Sequence, residues 1–319
     1  LQAIIFGAFV QAAPDRLPAS PASGGPIMNV NAIDNKTGRR VVASIDPITG
    51  GAGGDPFADG AEGSGASSSF MKNTPVEINE AEVPIRILRY GLLPDSGGPG
   101  LHRGGLATVL EFRAEAPNTR VTARNRDRTR FTSWGVRGGR AGTPSIFLLN
   151  PGAEGEVNLG NTDILTIGPG DEMRVASGGA GGWGNPFERK PDAVLLDVQR
   201  GFVSQASAKR DYGVVITNGA IDQAATTEAR ARGSGEASNA FYDYGAGREE
   251  FELLWTKGNY AALTELLQAL PVHWRFFVKH RVFETVEALD ESELRGDGSE
   301  IRAVFADVLK NYPQLRLPA

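Results

Sequence analysis

The chain contains no cysteine. This excludes disulfides, thiolate nucleophiles and cysteine-ligated metals, and it fits a cytoplasmic address. Histidine is scarce too: His102, His273 and His280 are the only three, so metal and acid–base sites that lean on imidazole have few places to form. No apolar run is long enough to span a bilayer, and Leu1–Val10 lacks the basic flank of a secretion signal. The formal net charge is −5 and no basic run interrupts it, which argues against a nucleic-acid partner. Motifs that announce a reaction are missing as well, with no Gly-x-Ser-x-Gly elbow, no His-Glu-x-x-His and no Cys–His set. Glycine and proline are abundant, at 41 and 19 residues, and they predict a loop-rich, short-stranded architecture.

Glycine is densest just after a strand-like stretch in which Met173, Val175 and Ser177 alternate with charged or small residues. The five glycines from Gly178 to Gly184 give a backbone able to lie close against another surface. Gly179-Ala180-Gly181-Gly182-Trp183-Gly184 satisfies Gly-x-Gly-x-x-Gly, but Asn185-Pro186 stands where a phosphate-binding helix would begin. With no Lys-Ser/Thr pair behind it, the loop reads as a packing or subunit-contact element. Pro191-Asp192 opens a helix with Val194, Leu195 and Val198 on one face. Ser204 caps a second helix, which Gly213 ends.

Leu1 to Ala13 reads as an amphipathic helix entered midway, and because the chain opens on Leu rather than Met we expect a segment of a longer polypeptide. Arg40–Ile45, Ile85–Tyr90, Ala107–Phe112 and Thr119–Arg124 read as strands, followed by four short ones at Ser145–Leu149, Gly155–Leu159, Asp163–Ile167 and Glu172–Ala176. Asn73-Thr74-Pro75 reads as the cap of a short helix, with Pro75 in its first turn and Glu77 close behind. Ile221–Arg232 reads as a helix entered from Asn218-Gly219, and the pattern from Glu249 to Pro318 is helical throughout. By composition Gly50–Ser69 is a linker, or else a loop lying over a site. Arg120, Arg124, Arg126, Arg128 and Arg130 are expected to form a solvated strand face, the alternative being a site for a bound phosphate or carboxylate. His273 and His280, seven apart, share a helix face without the i, i+4 spacing of a metal pair; His102, in a glycine turn, is expected to be exposed. The fold expected is α+β: a short-stranded β-sandwich or barrel-like core with glycine-rich loops and flanking helices, plus a C-terminal helical appendage. Boundaries fall at 1–70, a β-rich core at 71–232, a hinge at 233–247 and the appendage at 248–319.

An ordered set of segments resembles the hydantoinase B/oxoprolinase family, which includes large subunits of ATP-dependent ketone carboxylases. The set is Gly50-Gly51-Ala52-Gly53-Gly54-Asp55, Asn73-Thr74-Pro75-Val76-Glu77, Pro94 to Gly100 with Arg103-Gly104-Gly105, Arg128 to Phe131, Gly181 to Arg189 and Ala208 to Val215. The resemblance covers about Leu1 to Ala231, and it turns the Gly50–Ser69 run from linker to ordered loop. It implies that Gly53, Gly54, Asp55, Asn73, Thr74 and Glu77, together with Gly178, Gly179, Gly181, Gly182, Trp183, Gly184 and Asn185, wall a substrate pocket or meet a partner. No catalytic residue and no metal ligand is carried over.

In such complexes ATP and Mg2+ sit on a hydantoinase A-like partner. A divalent metal such as Zn or Mn belongs to an N-terminal half with no counterpart here, so the chain is expected to be the C-terminal half and inert alone. The first function implied is ATP-dependent hydrolysis of a cyclic amide such as a hydantoin, oxoproline or a lactam. The alternatives are a subunit of an acetone- or acetophenone-type carboxylase and a non-catalytic scaffold.

Overall fold

A computed structural model describes residues 2–22, 24–45, 48–63, 74–124, 128–233, 240–289 and 294–315. The chain divides into two compact units, Leu1–Gly245 and Ala246–Ala319. No helix among the described residues is long and apolar enough to cross a membrane.

The first unit opens with helix α1 (Gln2–Val10), strands β1 (Ile27–Ile33) and β2 (Arg40–Ile45) and the short helix α2 (Val76–Glu82). Strands β3 (Ile85–Leu92), β4 (Thr108–Ala114), β5 (Thr119–Arg124), β6 (Gly135–Val136), β7 (Ile146–Leu149), β8 (Val157–Asn158), β9 (Ile164–Ile167) and β10 (Glu172–Ala176) follow. Helices α3 (Pro191–Gln199) and α4 (Gln205–Tyr212), the pair β11 (Ile216–Thr217) and β12 (Ala220–Ile221), α5 (Gln223–Gly233) and β13 (Tyr242–Asp243) complete it.

The larger strands form two antiparallel sheets, in the orders β2-β1-β5-β9 and β3-β4-β10-β7-β8. Side chains of a strand alternate between faces. Met28, Val30 and Val121 of one sheet therefore meet Leu110, Phe112, Met173 and Val175 of the other in a single apolar cluster. The opposite face of the second sheet carries charge: Arg174 opposes Glu111 in register and their side chains close to 2.7 Å. The α+β expectation holds, and no ladder among the described residues joins the two sheets into a closed barrel.

Five local expectations change. Helix α1 is not amphipathic: it has no charged residue, and Ile4 and Phe9 are 73% and 62% exposed while Val10 on its other side is fully buried. Helix α2 takes Pro75 itself as its N-cap, with no side-chain capping bond, and Asn73 lies outside the described residues. Helix α5 starts at Gln223 because Ile221 pairs with Ile216 across Asn218-Gly219, both at positive φ. That is the two-residue hairpin turn that Asn-Gly favours. His102 is half-buried, bridged to Trp183. In the arginine series Arg120 and Arg124 are exposed, Arg128 turns in to the Thr132 carbonyl at 2.9 Å, and Arg126 lies outside the described residues.

Between the sheets' ends runs a core built of backbone. The N–H groups of Gly179 and Gly182 donate to Thr143 and Arg140 at 3.0 and 2.9 Å; those of Ala180 and Trp183 donate to Gly105 and His102 at 3.0 and 2.9 Å; Gly181 donates to Ser20 at 2.8 Å. Partners repeat every third residue, as they must on an extended helix of three residues per turn. Three neighbouring segments thus surround the 179–183 strand. A Cβ at Gly179, Gly181 or Gly182 would fall inside the backbone of Ser96, Trp134 or Pro99 respectively, so glycine is the residue that lets these segments approach.

The second unit packs α6 (Ala246–Leu254), α7 (Lys257–Ala269), α8 (Val272–Val286) and α9 (Ser299–Asn311) around Phe251, Trp255, Val278, Val282, Ile301 and Phe305. Asn259 ties three helices together. Its Nδ2 donates to the Leu254 carbonyl at 2.8 Å and to Glu300 Oε1 at 2.9 Å, while its Oδ1 accepts from Gly298 N–H at 2.9 Å. His273 and His280 lie on the exposed side of α8, with His280 Nε2 3.2 Å from Glu284.

Candidate functional site

Pro14 ends the run of α1 and opens a single tight turn, Pro14–Arg16. Beside that turn lies a cavity of about 200 Å³ shared with the 52–57 loop. Phe6, Pro18, Pro56 and Phe57 give it an apolar wall, Gly53 a backbone wall, and Arg16 and Asp55 its two charges. The loop is pre-shaped: Asp55 Oδ1 accepts the N–H groups of Phe57 and Ala58 at 2.7 Å each, and Asp55 N–H donates to the Ala58 carbonyl at 3.0 Å. Such an Asx turn fixes the loop tip, where Phe57 stands 81% exposed.

The base of the loop is anchored into the glycine core. Ala19 N–H donates to Gly54 O at 2.8 Å, and Gly54 N–H to Gly181 O at 2.9 Å. Gly53, between them, is buried against the Ala19 carbonyl, which a Cβ would overlap. Its own N–H and C=O are hydrogen-bonded to no described residue.

The far side of the loop is held by buried charge. Arg189 reaches both carboxylate oxygens of Asp59, at 2.6 and 2.7 Å, and Asp197 at 2.8 Å. Arg103 binds Glu62 at 2.7 Å and stands 3.6 Å from Asp197, its guanidinium over the Phe202 ring. Both arginines are at least 95% buried. Burial opposes ionisation of Asp59, but the hydrogen bonds and charge of Arg189, helped by the Arg103 N–H, hold its carboxyl below the usual aspartate range. Burial likewise opposes the guanidinium charges, yet the neighbouring carboxylates raise both above the ordinary arginine value. The Tyr212 hydroxyl, wholly buried beside them, is pushed up by burial. Among the described residues no group of three or more His, Asp and Glu side chains is placed to hold a metal ion. The acids that do cluster, Asp59, Glu62 and Asp197, are engaged by arginine, so that cluster does not suit a resident cation.

The structure brings part of the expected site together. Gly53 and Asp55 line the cavity, and Gly54 bonds to the 178–184 segment behind it. Gly178, Gly179, Gly181, Gly182 and Gly184 are buried, and Trp183 is 8% exposed with its indole N–H on the Pro14 carbonyl at 3.2 Å. Asn185 caps the following turn by accepting the Phe187 N–H at 2.9 Å. Thr74 and Glu77 sit at the start of α2, which packs on β2 and β3, and neither lines the cavity. Sequence reasoning missed Arg16, Phe57 and the Asp59–Arg189 pair. Arg16 had a local signal in the Pro-Asp-Arg turn; the ion pair, 130 residues apart, had none.

Residues 1–186 match the family model described as hydantoinase B/oxoprolinase. The caprolactamase subunit beta of Pseudomonas jessenii is 34% identical over 240 residues, which is 70% of this chain and 40% of that protein. The crystal structure of the ATP-dependent caprolactamase from the same organism aligns with a TM-score of 0.58 at 29% identity, over 70% of this chain and 40% of the other. A nucleotide-free structure of an ATP-dependent acetone carboxylase aligns with the same TM-score at 20% identity, over 93% of this chain and 44% of that one, and shows likeness of fold alone. The chain therefore spans about 40% of the length of these relatives. With the glycine anchors of the loop at Gly54 and Gly181, the cavity and most of the β core inside the matched residues, the chain belongs to the hydantoinase B/oxoprolinase family.

Proposed function

We propose that the chain is part of the substrate-handling subunit of an ATP-dependent cyclic-amide hydrolase that works, in the cytoplasm, with a hydantoinase A-like nucleotide-binding subunit. The observation that carries this is the likeness, in sequence and in fold, to an ATP-dependent caprolactamase over 70% of the chain. An amide carbonyl is a poor electrophile, and ATP overcomes that. The γ-phosphoryl group passes to the amide oxygen as ADP leaves, and water adds to the carbon. The ring C–N bond then breaks as the nitrogen takes a proton, and a second water releases phosphate from the acyl phosphate. Nucleotide, Mg2+ and any further divalent cation are supplied from outside the described residues. This chain contributes the Gly53–Asp55 wall and the buried Gly178–Gly184 segment that supports it, while Thr74 and Glu77 face a partner. We take residues 71–232 as the family core and 248–319 as an appendage.

The test is phosphate release by the assembled complex. Lactams, hydantoins or 5-oxoproline should each be tried against ketone plus bicarbonate, and the chain alone should release none. Phosphate release driven only by ketone plus bicarbonate would replace this reading with the carboxylase one.

A further inference from the structure

We infer that the cavity beside Gly53 binds a compact, uncharged cyclic amide with a free ring N–H, held by the Gly53 backbone and by Arg16. This rests on the cyclic-amide reading and deepens it by naming the substrate class and the residues that select it. Buried backbone N–H and C=O groups are almost always paired. At Gly53 both are unpaired among the described residues, and the residue borders a cavity. One donor and one acceptor on one residue match the needs of a ring amide. The ring locks that amide cis, so its N–H and C=O lie side by side on one edge.

Arg16 adds a second donor for the carbonyl oxygen, and its guanidinium makes no hydrogen bond or ion pair among the described residues. Asp55 offsets its charge, with Oδ1 turned to the Phe57 and Ala58 N–H groups. The two opposite charges leave the wall with no net charge to balance an anionic substrate. The rest of the lining is proline and phenylalanine, a surface for ring methylenes. A hydantoin would bring a second carbonyl and a second N–H against it unpaired, at a cost. The volume of about 200 Å³ lies below the roughly 300–1,000 Å³ of pockets for drug-sized ligands, and suits a single small ring.

The experiment is calorimetric titration of the full chain, without nucleotide or partner, using 2-piperidone, N-methyl-2-piperidone and 5-oxoproline. We expect 2-piperidone to bind and the N-methyl compound, which lacks the donor, to bind about tenfold more weakly or worse. The anionic 5-oxoproline should also bind more weakly. Arg16→Leu, an exposed position, should keep the circular dichroism spectrum and lose about tenfold in 2-piperidone affinity, with Arg16→Lys recovering part of it. Equal affinity for the N-methylated ring, unchanged affinity in Arg16→Leu, or no saturable binding of 2-piperidone would each overturn the assignment. In the assembled complex, ATP-driven opening of 2-piperidone indifferent to Arg16→Leu would remove this site and leave the hydrolase reading standing. Failure to open any cyclic amide would remove that reading instead.

Discussion

At Gly181 the missing side chain is itself the packing feature. A Cβ there overlaps the Trp134 carbonyl and comes within 3.0 Å of Gly135 N, atoms of backbone that cannot swing aside. Gly181→Ala is expected to cost about 3 kcal/mol of stability in urea unfolding. Gly152→Ala, at φ +79° with nothing within 4 Å, should cost only the backbone strain of about 1 kcal/mol. Arg189 offers the opposite case, a large side chain whose loss leaves charge behind. Arg189→Met strands Asp59 and Asp197 and should cost about 3 kcal/mol. The pH dependence has a definite sign. Asp59 titrates below the ordinary 3.8 in the folded state, so its contribution is complete above that value and fades as pH falls through the depressed folded value. Urea midpoints between about pH 2 and 5 should show that acid-side loss in the wild type and a smaller one in Asp59→Asn.

Elements differ in how locally they are specified. Helix α4 begins at Ser204, whose side chain accepts the Ser207 N–H at 3.1 Å, and ends at Gly213 in the left-handed region. Both signals lie within a few residues, and both were legible. Ser204→Ala is expected to cost about 1 kcal/mol. Thr74→Ala should be close to neutral by the same denaturation assay, because α2 uses no side-chain cap. The hairpin at Ile216–Ile221 was legible too, through Asn218-Gly219, but that pair also serves as a helix entry and sequence reasoning took the second meaning. For α1 the apolar spacing gave the helix but not its exposure. Gly7 packs on Trp134 at 3.2 Å and receives the Tyr242 hydroxyl on its carbonyl, contacts made 127 and 235 residues away that decide which side turns inward.

On the scale of the whole molecule the two units rest on different physics. Residues 246–319 bury their own aromatic core and their own Asn259–Glu300 lock. That segment, purified by itself, should show a helical circular dichroism spectrum and a single cooperative thermal transition; a broad, non-cooperative melt would contradict it. The first unit combines a side-chain core between two sheets with a backbone core of glycine segments. The cavity is positioned by the second of these, through Gly54 and Gly181.

The sequence by itself marked most of the longer strands, though not Ile27–Ile33, the Ser204 and Gly213 caps and the family, since alternation, capping residues and ordered motifs are properties of neighbouring residues. It also marked the glycines, but not what they pack against. Tertiary structure alone decided that five distant segments share one hydrogen-bonded backbone core, that Asp59 meets Arg189, and that Gly53 borders a cavity with its own amide groups unspent. Those relations join residues tens to more than a hundred positions apart. They depend on where the chain returns in space, and no local preference of a glycine or an arginine encodes that.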